Sequence, residues 1–424
     1  MTPPVSGLLN YLAVSPSPYH AVREATDRLD DAGWTRLFLS DSWSDLPARA
    51  YVTNGGALVA WNRSGTTPAS AGFRIVGAHT DSPNLRLKPR PDTASMGWRQ
   101  LAVEIYGGAL LNSWLDRDLG LSGRVVTRDE THLVHVNDPI ARVPQLAIHL
   151  DRDVNEKGVQ LDKQQHLTPI WGLGPTTEGD FSQWLAGHLD VQAADIFSWD
   201  LMFHDISAPA LLGPAQDLIA SARLDNLVSC WCALEALLAT EPTNEVTPLV
   251  CLFDHEEVGS ESATGASGPL LQAVLERLTR SSSDDASFRR SMAASACVSS
   301  DMAHAVHPNY PERHEPAHRP LPNAGPVIKV NANQRYATDA VTHAMFLRAC
   351  ETAGVPSQVF VSKNSMPCGS TIGPITATRL GIPTVDVGCA QLSMHSAREL
   401  CGATDPGLMA SSLGAFFVDA RGAV

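Results

Sequence analysis

The chain has 424 residues, 44% of them apolar and 18% charged, the composition of a globular protein of two or three domains. A net charge of −14 excludes nucleic acid and anionic membrane as natural partners, because both require clustered lysine and arginine. No apolar run approaches the roughly 18 residues that a membrane helix needs.

The first apolar cluster, Leu8, Leu9, Tyr11 and Leu12, predicts a helix that Ser15-Pro-Ser-Pro18 ends. A second helix follows, with Val22, Ala25 and Leu29 on one face. Residues 51–53 and 57–61, parted by Asn54-Gly55-Gly56, predict a β-hairpin. The strand 73–77 runs straight into Ala78-His79-Thr80-Asp81-Ser82-Pro83. From about residue 92 short alternating runs take over, at 101–106, 123–128 and 132–136, with Gly107-Gly108 and Asp129-Glu130 as turns. A further strand is expected over 145–150, passing through His149, and 151–180 reads as turn-rich. This pattern predicts a β-rich module over 91–204, inserted into a larger domain made of 1–90 and 205–424.

Helix–strand alternation resumes near Ile219. Leu227, Val228, Trp231, Leu234, Leu237 and Leu238 recur at helical spacing behind Asp225, a candidate N-cap. Next come a buried strand at 248–253, a helix at 270–278, a polar stretch at 281–290 and a strand at 296–300. A loop rich in Pro and His spans 304–322. Strands at 327–330, 358–361 and 384–387 and helices at 340–353 and 406–418 complete the chain. Apolar strands alternating with helices predict a doubly wound mixed α/β sheet covered on both faces. All eight cysteines lie in this half, without a CxxC pair, and the first residues lack the parts of a secretory signal. Both features point to a reduced, cytoplasmic protein.

The densest chemistry is Asp254-His255-Glu256-Glu257, between the 248–253 strand and Gly259. Open α/β sheets bind ligands beyond the carboxyl ends of their strands. Adjacent carboxylates repel and diverge, so one acid suits a cation and the other suits proton transfer. His79, Asp81, Asp225, Asp301 and His395 each follow a strand or open a helix. Two imidazoles with several carboxylates are donors for zinc, cobalt or manganese. A carboxylate shared by two ions about 3.5–4 Å apart is the two-metal arrangement of many hydrolases. In His79-x-Asp81 the carboxylate can take the second ring N–H of the imidazole.

Eight stretches in order resemble the aspartyl aminopeptidase family of dinuclear zinc exopeptidases. They are Ser15-Pro-Ser-Pro-Tyr-His20, Gly77-Ala-His-Thr-Asp-Ser-Pro83, Arg223-Leu-Asp-Asn226 and Asp254-His-Glu-Glu-Val-Gly-Ser-Glu261, then Ser300-Asp-Met-Ala-His-Ala305, Lys329-Val-Asn-Ala-Asn-Gln-Arg-Tyr336, Cys368-Gly-Ser-Thr-Ile-Gly-Pro374 and Met394-His-Ser-Ala-Arg-Glu399. The resemblance implies two zinc ions per subunit, one held by His79 and Asp301, the other by Glu257 and His395, with Asp225 bridging. Glu256 would be the general base and Asp81 would orient His79. His304 would meet the substrate or its oxyanion, and Lys329 and Tyr336 would line the substrate pocket. His149 would reach the active site of a neighbouring subunit. The implied protein releases single N-terminal residues from peptides, with Asp or Glu preferred, and assembles from dimers through its β-rich insert into a tetrahedral dodecamer. His255 stands where some relatives carry Asn. Members of the family that prefer neutral residues keep a broader aminopeptidase as the alternative. A two-zinc amidohydrolase would lack the Asn-Gln-Arg-Tyr and Cys-Gly-Ser-Thr-Ile-Gly-Pro stretches, and a non-catalytic scaffold would have no use for Glu256.

Overall fold

The computed structural model describes residues 3–64, 71–280 and 286–421. Its centre is a parallel set of strands, Val246–Phe253, Gly72–His79, Ala296–Ser300 and Thr384–Gly388, each buried along its whole length. Continuous apolar runs of this kind belong where both sheet faces are covered. Alternate residues serve opposite cores. Val76, Ala78, Val250 and Leu252 join the larger core with the helices Val5–Val14, Pro18–Asp31, Leu224–Ala239, Ala340–Ala353 and Asp405–Phe417. Phe73, Ile75, Leu249 and Cys251 join the other, under Leu270–Thr279, Ser287–Ala293 and Ile372–Leu380. The expected hairpin, Arg49–Asn54 with Ala57–Asn62, extends one side of the sheet in antiparallel register. Val327–Val330, antiparallel to its neighbour, and Gln358–Val361 extend the other. The result is a nine-stranded mixed sheet with helices on both faces.

A closed six-stranded barrel interrupts this domain. Its strands, in spatial order, are Ile196–Asp205, Asn84–Ser95, Trp98–Tyr106, Ile170–Leu173, Thr131–Arg142 and Asp118–Thr127. The barrel begins at Asn84, directly after Ser82-Pro83, ahead of the expected residue 91. A third sheet of five short strands holds Leu218–Ser221, Glu399–Gly402 and Ala390–Leu392 beside one another, with Ala210–Leu212 and Ala303–His304 at its edges.

Several expectations are corrected. Residues 145–150 form no strand. Leu146, Ile148 and Leu150 alternate as a strand would, but Pro144 has no N–H to give and all three side chains are exposed. The Asp225 carboxylate does not cap its helix: Oδ1 has no hydrogen-bond partner, and its two oxygens face His79 and His395 instead of the helix N–H groups. The polar stretch contains the helix Ser287–Ala293, while its residues 281–285 lie outside the described residues. Residues 372–380, to which the sequence assigned no element, form a helix because Thr371 accepts the Gly373 N–H and Pro374 falls in the tolerant first turn.

The barrel meets the larger domain along a row of imidazoles. His20, from the second helix, stacks edge-on against the exposed His135, which stacks in turn against His204, with ring centroids 5.6 and 5.5 Å apart. Burial, then His135 and Arg223, pushes His20 down to about 3, and burial with Arg223 pulls His204 well below its usual value. Both therefore stay neutral when folded and take a proton only on unfolding. Stability is complete above the unfolded histidine pKa of about 6.5 and falls by roughly 1.4 kcal/mol per pH unit for each of the two below it. Thermal melts between pH 7.5 and 5.5 should record this loss, and replacing His20 and His204 by Gln should flatten the slope.

Candidate metal centre

The parallel register brings the donors together. His79 closes its strand directly opposite Phe253, Glu256 and Glu257 follow in a 3₁₀ turn, and Asp301 follows the next strand. His255 turns the chain here in the left-handed region (φ 65°), with its N–H on Asp254 Oδ1 and its ring on Ser262 Oγ, facing away from the other donors. Asp225 arrives from a helix start, and His395 from the link between the strands Ala390–Leu392 and Glu399–Gly402.

His79 Nε2 lies 3.4 Å from Asp225 Oδ1 and 3.5 Å from Asp301 Oδ1. His395 Nε2 lies 3.6 Å from Asp225 Oδ2 and 3.4 Å from Glu257 Oε2. Asp225 thus turns one oxygen to each imidazole. Two donor groups, His79 with Asp225 and Asp301, and His395 with Asp225 and Glu257, each fall within 4.8 Å, and His79 also groups with Glu256 and Glu257. The tautomers suit this role. His79 Nδ1 is 3.0 Å from the Asp81 carbonyl and His395 Nδ1 is 3.1 Å from that of Gly108, which leaves each Nε2 free to donate its lone pair.

The residues fit cations for two further reasons. Asp225 Oδ1 and Glu257 Oε1 are buried without a hydrogen-bond partner, an arrangement that costs about 1–3 kcal/mol each unless something positive occupies the gap. The acids also crowd one another. Burial, opposed by His79 and reinforced by Asp301 and Asp225, pushes Glu256 up to about 7. Burial and Asp225 push Glu257 well above the carboxylate range and Glu399 up to about 8. Divalent charge reverses this penalty.

Asp81 does more than expected. Its carbonyl meets His79 Nδ1 at 3.0 Å, and its carboxylate lies 3.5 Å from the same nitrogen. The carboxylate also accepts the N–H groups of Glu256 (3.0 Å) and Glu257 (3.1 Å) and the hydroxyl of Tyr106 (2.7 Å). Asp81 is therefore a positioning residue for the Glu-Glu turn, and Tyr106 ties it to the barrel. Sequence reading missed Tyr106, Gly108 and Glu399. Tyr106 and Gly108 lie in a module with no metal-ligand pattern, while Glu399 sits in the Met394-His-Ser-Ala-Arg-Glu399 stretch, four residues after His395.

Beside the donors opens a cavity of about 230 Å³. His304, Lys329 and Tyr336 line it with Met302, Ser370 and Met394, next to Glu256. Lys329 is buried, its ammonium donating to the carbonyls of Asp301 (2.9 Å) and Met302 (3.3 Å), with Asp301 Oδ2 at 3.4 Å. Tyr336 packs under it and against Phe360. His149 stands exposed on a turn of the insert, away from this cavity.

A doubly wound sheet that carries imidazoles and carboxylates at its strand ends, around a pocket of peptide-residue size, defines a metal-dependent hydrolase. Residues 11–417 match the model of the aminopeptidase I zinc metalloproteases, and the chain belongs to that family, M18. The probable M18 family aminopeptidase 2 of Streptomyces avermitilis is 55% identical over 415 residues, 96% of each chain. A cryo-EM structure of an Ape4 and Nbr1 complex superposes with a TM-score of 0.94 at 36% identity, over 97% of this chain and 85% of that one. The Saccharomyces mApe1 dodecamer gives 0.85 at 27% identity, over 98% and 97%.

Asp81→Asn should keep the fold but release the Glu256-Glu257 turn from one acceptor. Zinc affinity measured by competitive chelation should fall about 10–100-fold.

Proposed function

We propose that this aminopeptidase holds two zinc ions and removes single N-terminal residues from peptides, preferring aspartate and glutamate. The observation that carries the two-ion reading is Asp225, whose two oxygens face two separate imidazoles. His79, Asp225 and Asp301 would hold one ion and His395, Asp225 and Glu257 the other; cobalt or manganese suits the same donors. When bound, the ions polarise water and the scissile carbonyl.

The chain's own groups do the rest. Glu256, poised beside the donors and bonded to none of them, takes the proton of the attacking water and returns it to the leaving amine. His304 lines the same cavity and donates to the carbonyl oxygen as charge develops on it. Asp81 keeps Glu256 and Glu257 in register. Lys329 is the one ammonium or guanidinium among the described residues lining the cavity, which supports an acidic P1 side chain, with Tyr336 as its wall.

The barrel is the dimerisation module, presenting Leu146, Ile148, Leu150, Leu173 and Phe197 exposed in the single chain. Dimers build a tetrahedral dodecamer, in keeping with the dodecameric mApe1, and His149 enters a neighbouring subunit's site. Eight free thiols suit a cytoplasmic location.

Aspartyl, glutamyl, leucyl and alanyl anilides assayed with and without chelator test this reading. Release of anilide from the acidic pair, abolished by chelator and restored by zinc, is the expected outcome; equal rates on all four would overturn the preference. Glu256→Gln should retain both metals and lose roughly 10²–10⁴-fold in kcat. Lys329→Ala should raise KM for the aspartyl substrate more than for the leucyl one, and equal increases would reassign Lys329 to holding Asp301.

A further inference from the structure

Glu399 belongs to neither donor group, yet it touches the main chain of two of the three residues of the second group, Asp225 and His395 but not Glu257. It opens the strand Glu399–Gly402 in register with Ser221 of the antiparallel strand Leu218–Ser221. One of these strands runs out toward Asp225 and the other runs in from His395, so the pairing sets the two donors side by side. The Glu399 carboxylate lies buried between them. Its Oε2 accepts the Asp225 N–H at 2.9 Å and its Oε1 accepts the His395 N–H at 2.7 Å.

Neither N–H has a partner in regular structure. The Asp225 N–H is among the unpaired donors of a helix start, and its residue is held in a non-helical conformation. His395 sits in the left-handed region at φ 67°. Both backbones are therefore free to relax unless something with two acceptor oxygens holds them. A carboxylate supplies two such oxygens. A side-chain amide supplies one acceptor and an NH₂ that would meet the second N–H head-on.

We propose that Glu399 is the positioning residue of the second metal position, one carboxylate gripping Asp225 and His395 from behind and fixing the spacing of their donor atoms. The proposal rests on the reading that Asp225, Glu257 and His395 hold an ion. It differs from a merely structural role, in which a buried acid satisfies two N–H groups and contributes only to folding.

The test is zinc titration of the metal-free protein by calorimetry, alongside its melting temperature, for wild type and Glu399→Gln. The expected result is the equivalent that depends on His395 weakened about 10–100-fold, the other, which shares only Asp225 with it, weakened clearly less, and a metal-free melting temperature within a few degrees of wild type. Glu399→Asp keeps both oxygens but withdraws them by one methylene and should give a smaller loss at the same equivalent; it serves if the amide variant does not fold. Two equivalents of wild-type affinity in both variants would overturn the proposal. So would equal weakening of both equivalents together with a matching fall in melting temperature. A wild type that binds a single equivalent would instead sink the two-ion reading, and Glu399 would then be judged by whether that one equivalent weakens.

Discussion

Everything at the centre of this molecule is arranged around the Asp225 carboxylate. It is buried, faces His79 with one oxygen and His395 with the other, and leaves Oδ1 without a hydrogen bond. Around it stand Glu256, Glu257, Asp301, Asp81 and Glu399, a concentration of negative charge that burial makes expensive. The fold pays for this with rigid support. Parallel strands deliver His79, Glu256, Glu257 and Asp301 to one edge, while a separate small sheet delivers His395 and Glu399. Such a cluster suits positive charge, and the M18 family to which the chain belongs is one of zinc metalloproteases.

The second theme is that the donors are steered by their backbones. Asp81 holds the N–H groups of Glu256 and Glu257, and Glu399 holds those of Asp225 and His395. A side chain has several rotatable bonds between itself and the ion, so fixing the main chain narrows its reach without touching the donor atom. The barrel shares in this work. Tyr106 donates to Asp81, the Gly108 carbonyl orients His395, and the Leu110 N–H bonds the His395 carbonyl at 3.0 Å. The inserted module is thus part of the support of the donor set.

The peptide cavity follows from the same placement. Lys329 crosses beneath Asp301, so the group that would select an acidic side chain also steadies a donor. On the proposed reading, specificity and metal geometry would be coupled there, because a substrate carboxylate reaching Lys329 would share it with Asp301. That coupling separates this pocket from a plain hydrophobic slot, in which the selecting wall and the donor set would be independent.

Local sequence determined a good deal. Apolar runs ending in Asp254-His-Glu-Glu and in Asp301 marked strand ends with chemistry on them, and the helix 340–353 was legible to the residue. These signals are short-range: periodicity, breakers and residue type. The strand expected at 145–150 is missing and the helix 372–380 went unassigned, because alternation and a Gly-Pro pair carry no information about what lies alongside. The roles of Tyr106, Gly108 and Glu399, and the second hold of Asp81 on the Glu-Glu turn, were decided by tertiary structure alone. Each depends on a hydrogen bond between segments far apart in the chain or on the exact direction of a backbone N–H. Residue identity names the candidates for such bonds, but only packing of the sheets and barrel selects which pairs come within 3 Å or so.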